Sequence, residues 1–150
     1  MQLLRRGWHV LFTLPVLLAM VVAGGAQAAP RAHAAAAPVK VIAGKLLKTS
    51  KGLTIYVFAA DSADKSTCYG PCAKYWPPVL IPKGTMPPAK MAGIAGTFGV
   101  TMRTDGTQQL TYDKAPLYTF IKDKDSGDFY GQGVVASGGF WWAVVAPPAS

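Results

Sequence analysis

The feature that most limits what this chain can fold into is a short motif that occurs twice. Tyr56-Val57-Phe58-Ala59-Ala60-Asp61 reads Y-x-F-x-x-D, and Tyr118-Thr119-Phe120-Ile121-Lys122-Asp123 repeats it in the second half. Gly52-Leu53-Thr54-Ile55 leads into the first copy and Lys114-Ala115-Pro116-Leu117 into the second. Trp76 follows one copy and the pair Trp141-Trp142 the other. Two copies are too few for an open solenoid, so two units packing their apolar faces together are expected.

The local pattern is β. Leu53, Ile55 and Val57 alternate with Thr54, Tyr56 and Phe58, and both sets are largely apolar or aromatic. Such a strand fits a sheet covered on both faces. One hairpin is expected from Gly44–Lys48 through Thr49-Ser50-Lys51-Gly52 to Leu53–Phe58. A second runs from Val100–Arg103 through Thr104-Asp105-Gly106-Thr107 to Gln108–Tyr112, with Asp-Gly supplying the positive φ of a tight turn. Phe140–Val145 reads as a last short strand. Between the halves, Pro77, Pro78, Pro82, Pro87 and Pro88 mark a long loop, with one helical turn near Ala89–Ala95. The fold class is therefore all-β: two pseudo-repeated hairpin units, about 44–80 and 98–147, joined by a Pro-rich loop, within a domain spanning 39–147.

Residues 1–28 read as an export signal. Arg5 and Arg6 form a positive start, Val10 to Ala23 is mostly apolar, and Ala26-Gln27-Ala28 is a small-x-small cleavage pattern. Ala32-His33-Ala34 is a second cleavage candidate. The apolar run is shorter than the ~20 residues of a spanning helix. No cysteine lies nearby, so the exported chain is expected to carry no lipid anchor. Residues 29–38 read as a disordered Ala/Pro leader. Cleavage removes two of the positive charges behind the net +8 of the whole chain.

The remaining domain has few chemical tools. Both histidines, His9 and His33, lie ahead of it, and the chain has no glutamate. A Ser–His–Asp or Cys–His nucleophile needs an imidazole, as do catalytic zinc sites and most copper sites. No cofactor is expected. The lysines are scattered, only Arg103 lies in the domain, and export argues against nucleic acid. The charge suits loose association with an anionic cell-envelope surface.

The chain resembles a secreted or lipoprotein family named for a Y-x-(F/W/Y)-x-x-D motif and described as a secreted repeat of unknown function. Beyond the two motif copies, the resemblance rests on Cys68-Tyr69-Gly70-Pro71-Cys72-Ala73-Lys74-Tyr75-Trp76-Pro77-Pro78. It rests also on Arg103-Thr104-Asp105-Gly106-Thr107-Gln108-Gln109-Leu110-Thr111-Tyr112, on Pro116-Leu117-Tyr118 and on Gly131-Gln132-Gly133. Many relatives carry Asn-Gly where this chain has Asp113-Lys114-Ala115, and many are lipid-anchored. The resemblance implies an exported envelope protein and no established activity.

Each candidate site residue has competing roles. Cys68 and Cys72 read as a structural disulfide of an exported protein. The alternatives are a redox-active pair, or a Cu(I) site aided by Met86, Met91 or Met102. Asp61 and Asp123 read as turn residues accepting backbone N–H bonds. The alternative pairs them across the repeat interface as acid and base or as cation ligands. Asp123-Lys124-Asp125-Ser126-Gly127-Asp128 is a poor calcium loop, with Val134 where its final Glu belongs. Tyr56, Phe58, Tyr118 and Phe120 read as core and cross-strand pairs, while Trp76, Trp141 and Trp142 are candidates for a flat ligand platform. The expected function is that of an exported, non-enzymatic envelope or binding protein with one disulfide. Its rivals are redox or copper handling at Cys68/Cys72 and a small Asp-dependent enzyme.

Overall fold

The structure is a computed structural model that describes residues 39–40 and 46–148. The signal peptide and leader proposed for 1–38 lie outside the described residues. The described elements are strands β1 (Val39–Lys40), β2 (Lys48–Thr49) and β3 (Tyr56–Phe58), helix α1 (Pro71–Tyr75), then strands β4 (Leu80–Ile81), β5 (Phe98–Met102), β6 (Gln108–Tyr112), β7 (Ala115–Pro116), β8 (Val135–Ala136) and β9 (Gly139–Ala143). All strand pairs are antiparallel: β1 with β2, β9 with β3 and β8, and β6 with β4, β5 and β7. The domain is all-β, as its alternating pattern predicts.

The hairpin at Asp105-Gly106 forms in the expected register, with Met102 opposite Gln108 and Gly106 at φ 80°. The first hairpin is shorter. Thr49 N donates to Leu53 O and Ile55 N to Leu47 O, so its arms meet around Lys48 and Thr54. The helical turn expected near Ala89–Ala95 is instead a turn closed by Ile94 N on Met91 O. The helix that does form starts at Pro71, whose missing N–H costs nothing at a first-turn position.

The two repeats are not side-by-side units: they exchange strands. β3, from the first repeat, pairs with β9, from the second, while β4, from the first, pairs with β6, from the second. Three residues in each half show the exchange. Leu47 N donates to Val144 O, Val144 N to Ile55 O and Ile55 N to Leu47 O. Leu110 N donates to Val79 O, Val79 N to Leu117 O and Leu117 N to Leu110 O. Each triangle takes two members from one repeat and the third from the other. The six side chains are all buried in one apolar cluster. At the centre, Tyr56 N donates to Tyr118 O and Tyr118 N to Tyr56 O, at 2.8 and 2.9 Å. A pseudo-twofold axis therefore passes between the two motif tyrosines. Pairing through the partner repeat leaves neither copy able to bury its strand face alone.

The Asp113-Lys114 departure falls in the two-residue turn between β6 and β7, where Tyr112 faces Ala115. Both turn residues have positive φ, 45° and 69°, as a type I′ turn requires. Asp113 tolerates this, and its Oδ1 accepts Thr97 N at 2.7 Å. Lys114 has no such compensation. Lys114→Gly is expected to raise stability by about 0.5–1 kcal/mol: relief of the left-handed strain outweighs the added freedom of the unfolded chain. A chemical denaturation midpoint checks it.

Candidate functional site

The twofold brings the repeated motif together around one aromatic and polar centre. Phe58 stacks on Trp141 (4.2 Å between centroids), Trp141 on Trp76 (3.9 Å, 2° between planes) and Trp76 on Phe120 (4.2 Å). Each phenylalanine thus stacks on the tryptophan that follows the other motif copy. Tyr56 meets Trp76 edge-on at 5.5 Å, and Tyr118 meets Trp141 at 5.1 Å. Such stacked and edge-to-face contacts each add about 0.5–1.5 kcal/mol beyond the area they bury.

The expected tryptophan platform is corrected here. Trp76 and Trp141 are buried, at 1% and 0% exposure, while Trp142 points the other way at 44%. Successive residues of a strand face opposite sides, so Trp141 and Trp142 cannot share a surface. Trp142 lies near-parallel to Phe140 on the outer face of β9.

The motif's acids and phenols pair reciprocally. Tyr56 OH donates to Asp123 Oδ2 and Tyr118 OH donates to Asp61 Oδ2, each at 2.6 Å. Each phenol therefore bonds the carboxylate of the other repeat. The second oxygens take turn N–H groups: Asp61 Oδ1 accepts Thr67 N at 2.7 Å and Asp123 Oδ1 accepts Tyr130 N at 3.0 Å. The turn role and a cross-repeat role are both present, with tyrosine rather than the other aspartate as partner. The phenol oxygens are also engaged, Tyr56 by Gly131 N and Tyr118 by Ser66 Oγ. Gly131 is demanded by space: a Cβ there would lie 2.8 Å from both Trp76 and Tyr56. Further along, Asp128 Oδ2 accepts Lys124 N and Asp125 N, so this segment is a carboxylate-closed turn.

Burial, reinforced by the hydrogen bond to Asp123, pushes the Tyr56 phenol well above its ordinary value. Burial and the bond to Asp61 do the same for Tyr118. The raised folded value means that the unfolded chain releases these protons first, from about pH 10. Their contribution is complete below that pH and declines as pH rises through the folded values. Urea midpoints should therefore fall steeply above about pH 10, and a Tyr56→Phe/Tyr118→Phe double variant should show a flatter alkaline limb.

The residue pattern alone assigns no role to Arg103. Its residue exposure is 4%. Nη1 donates to Ser66 Oγ and Gln109 Oε1, both at 2.8 Å, and Nη2 to Cys68 O at 2.7 Å. Nε faces Asp105 at 3.3 Å, and the guanidinium lies over the Tyr69 ring. A chain of donors runs Arg103 to Ser66 to Tyr118 to Asp61, from a buried cation to a carboxylate. The available signal was the single arginine of the domain, set in Arg-x-Asp-Gly.

Cys68 and Cys72 form a disulfide with Cα atoms 5.3 Å apart. The bridge ties the fully buried Cys68 to α1, and Gly70 makes the tight loop possible with φ 53°. Neither sulfur is a thiolate in this state. Among the described residues, no three His, Cys, Asp or Glu side chains are grouped to hold a metal ion.

These features define a class: a small, disulfide-bonded, all-β domain of two strand-exchanged repeats, clamped by reciprocal tyrosine–aspartate bonds. The chain belongs to the family described as a secreted repeat of unknown function, whose model matches residues 38–80 and 99–145. Both repeats are thus matched, and the long Pro-containing connection falls between the two stretches. No curated protein and no solved structure gives a match. No helix among the described residues is long and apolar enough to cross a membrane.

Proposed function

We propose that this chain acts outside the cytoplasm as a non-enzymatic, envelope-associated binding protein. Cleavage after Ala28 or Ala34 releases it to the periplasm or the exterior, without a lipid anchor. The observation that carries the non-enzymatic reading is the structural engagement of both oxygens of each motif carboxylate. Each has one oxygen on a tyrosine of the other repeat and the other on a backbone N–H. Groups engaged in this way tie the two repeats and their turns together. Family membership and a disulfide both suit an oxidising, extracytoplasmic setting. Among the described residues no lysine forms a salt bridge, which suits an anionic surface, because the acidic side chains are largely engaged in turns.

Co-sedimentation with phosphatidylglycerol vesicles against phosphatidylcholine vesicles tests the envelope association. Binding to the anionic vesicles alone is expected at low salt, fading towards 1 M, where the screening length is about 3 Å. Equal binding to both removes the association. In parallel, Cys68→Ser is expected to lower stability by about 2 kcal/mol and leave vesicle binding intact. A disulfide potential well above about −300 mV, or tight Cu(I) binding by the reduced chain that Cys72→Ser abolishes, would establish the redox or copper role instead.

A further inference from the structure

The four-ring stack has two ends related by the pseudo-twofold, and they are not alike. At the Phe58 end the chain closes on the ring. Gly139 lies so close that a Cβ there would come within 2.9 Å of Phe58 and 3.3 Å of Ala60. At the Phe120 end a cavity of about 280 Å³ opens, lined by Tyr75, Trp76, Phe120, Lys122, Val134, Ala136 and Ser137. The residues that differ are identifiable from equivalent bonds. Ala59 N donates to Phe140 O, and its counterpart Ile121 N donates to Tyr75 O. Ala60 therefore corresponds to Lys122, and Gly139 to Lys74. Two small residues that seal one end are replaced by two lysines at the other.

We propose that this cavity binds a small aromatic carboxylate, its ring against Tyr75 and Phe120 and its carboxylate on Lys122. The lining accounts for each part of the ligand. Three of the seven residues are aromatic, and a planar ring gains offset or edge contacts there that an alkyl chain does not. Lys122 makes no salt bridge or hydrogen bond among the described residues, and Lys74 beside Tyr75 is exposed, so the rim is positive. The volume lies at the small end of ligand sites, which suits one fused ring system and excludes a polymer. A larger cavity of about 560 Å³, between Asp64, Phe98, Asp113 and Lys114, lacks this match. It has two carboxylates against one lysine, and Asp113 is already bonded to Thr97 N.

The inference deepens the binding reading above and rests on its non-enzymatic part. The test uses the full exported chain with 2-naphthoate as probe, followed by calorimetry and by amide shifts. Saturable micromolar binding is expected, with shifts at residues 75–76, 120–122 and 134–136. The neutral analogue 2-naphthamide should bind at least tenfold more weakly. Lys122→Ala, an exposed change that spares the core, should erase that preference by weakening naphthoate alone. A second variant, Ala136→Leu, should reduce binding of both probes by filling the cavity. The inference is overturned by no saturable binding, by shifts centred on Phe140 and Trp142, or by an unaltered preference in Lys122→Ala. Conversion of either probe to a new compound would instead overturn the non-enzymatic reading.

Discussion

Replacing Arg103 by methionine is expected to cost about 3–5 kcal/mol, among the largest losses available to a single substitution in this domain. The guanidinium donates to three buried acceptors, on Ser66, Gln109 and Cys68. Methionine fills much of the volume and supplies no donor. The Cys68 carbonyl and the Gln109 amide oxygen would then be buried without partners, at about 1–3 kcal/mol each. The loss should not stop locally. Ser66 connects Arg103 to Tyr118, and Tyr118 to Asp61, so the cross-repeat clamp loosens too. Arg103→Lys should recover only part of the loss, because an ammonium cannot span acceptors arranged for a planar fork. Thermal melts of the three proteins check the order. For a domain near this size each kcal/mol is about 4–8 °C, so methionine should lower the midpoint by at least ~12 °C. A methionine variant within ~3 °C of the parent would show that the network is dispensable.

Truncating either central tryptophan should cost a similar amount, about 3–5 kcal/mol. Trp76 and Trp141 lie 3.9 Å apart with planes 2° from parallel, and each also carries a phenylalanine on its other side. Trp76→Ala would leave a cavity between Trp141 and Phe120 that the rigid backbone at Gly131 cannot fill by collapse. Trp141→Ala would in addition lose the indole N–H bond to Ala136 O. Trp→Phe at either position should cost less than Trp→Ala, because a smaller ring still fills part of the stack. Circular dichroism supplies a separate readout. Two indoles this close and parallel should interact excitonically, and either single variant should abolish the resulting far-ultraviolet couplet while Trp142→Phe leaves it in place. Persistence of the couplet in Trp76→Ala would mean that the indoles do not pair across the twofold.

Several parts of this arrangement were readable from residues alone. Alternation at 53–58 marks a strand because side chains of an extended chain alternate between faces. Asp105-Gly106 marks a tight turn because glycine adopts positive φ without steric cost. The paired cysteines in an exported chain mark a disulfide because of the compartment they fold in. The role of Arg103 was not readable, for an equally physical reason. A sequence gives the charge of a side chain but not the carbonyl that will meet it, and Cys68 O is 35 residues away along the chain. The same applies to the tryptophans: an adjacent Trp-Trp pair on a strand must split between faces, but only packing decides which one enters the core.

Read along the chain, the residues establish two copies of one strand-forming unit, a domain without imidazole or glutamate, and aromatic residues that recur at matching places. These are properties of local pattern and composition. It takes the folded chain to show that the copies exchange strands, that Tyr56 bonds Asp123 while Tyr118 bonds Asp61, and that one end of the ring stack is sealed and the other open. The physical reason is that a repeat has two equally plausible partners for every contact, its own copy and the other. Local propensity is identical for both choices. The choice between them is made by long-range burial and by hydrogen bonds between residues far apart in the chain, which no short window of sequence contains.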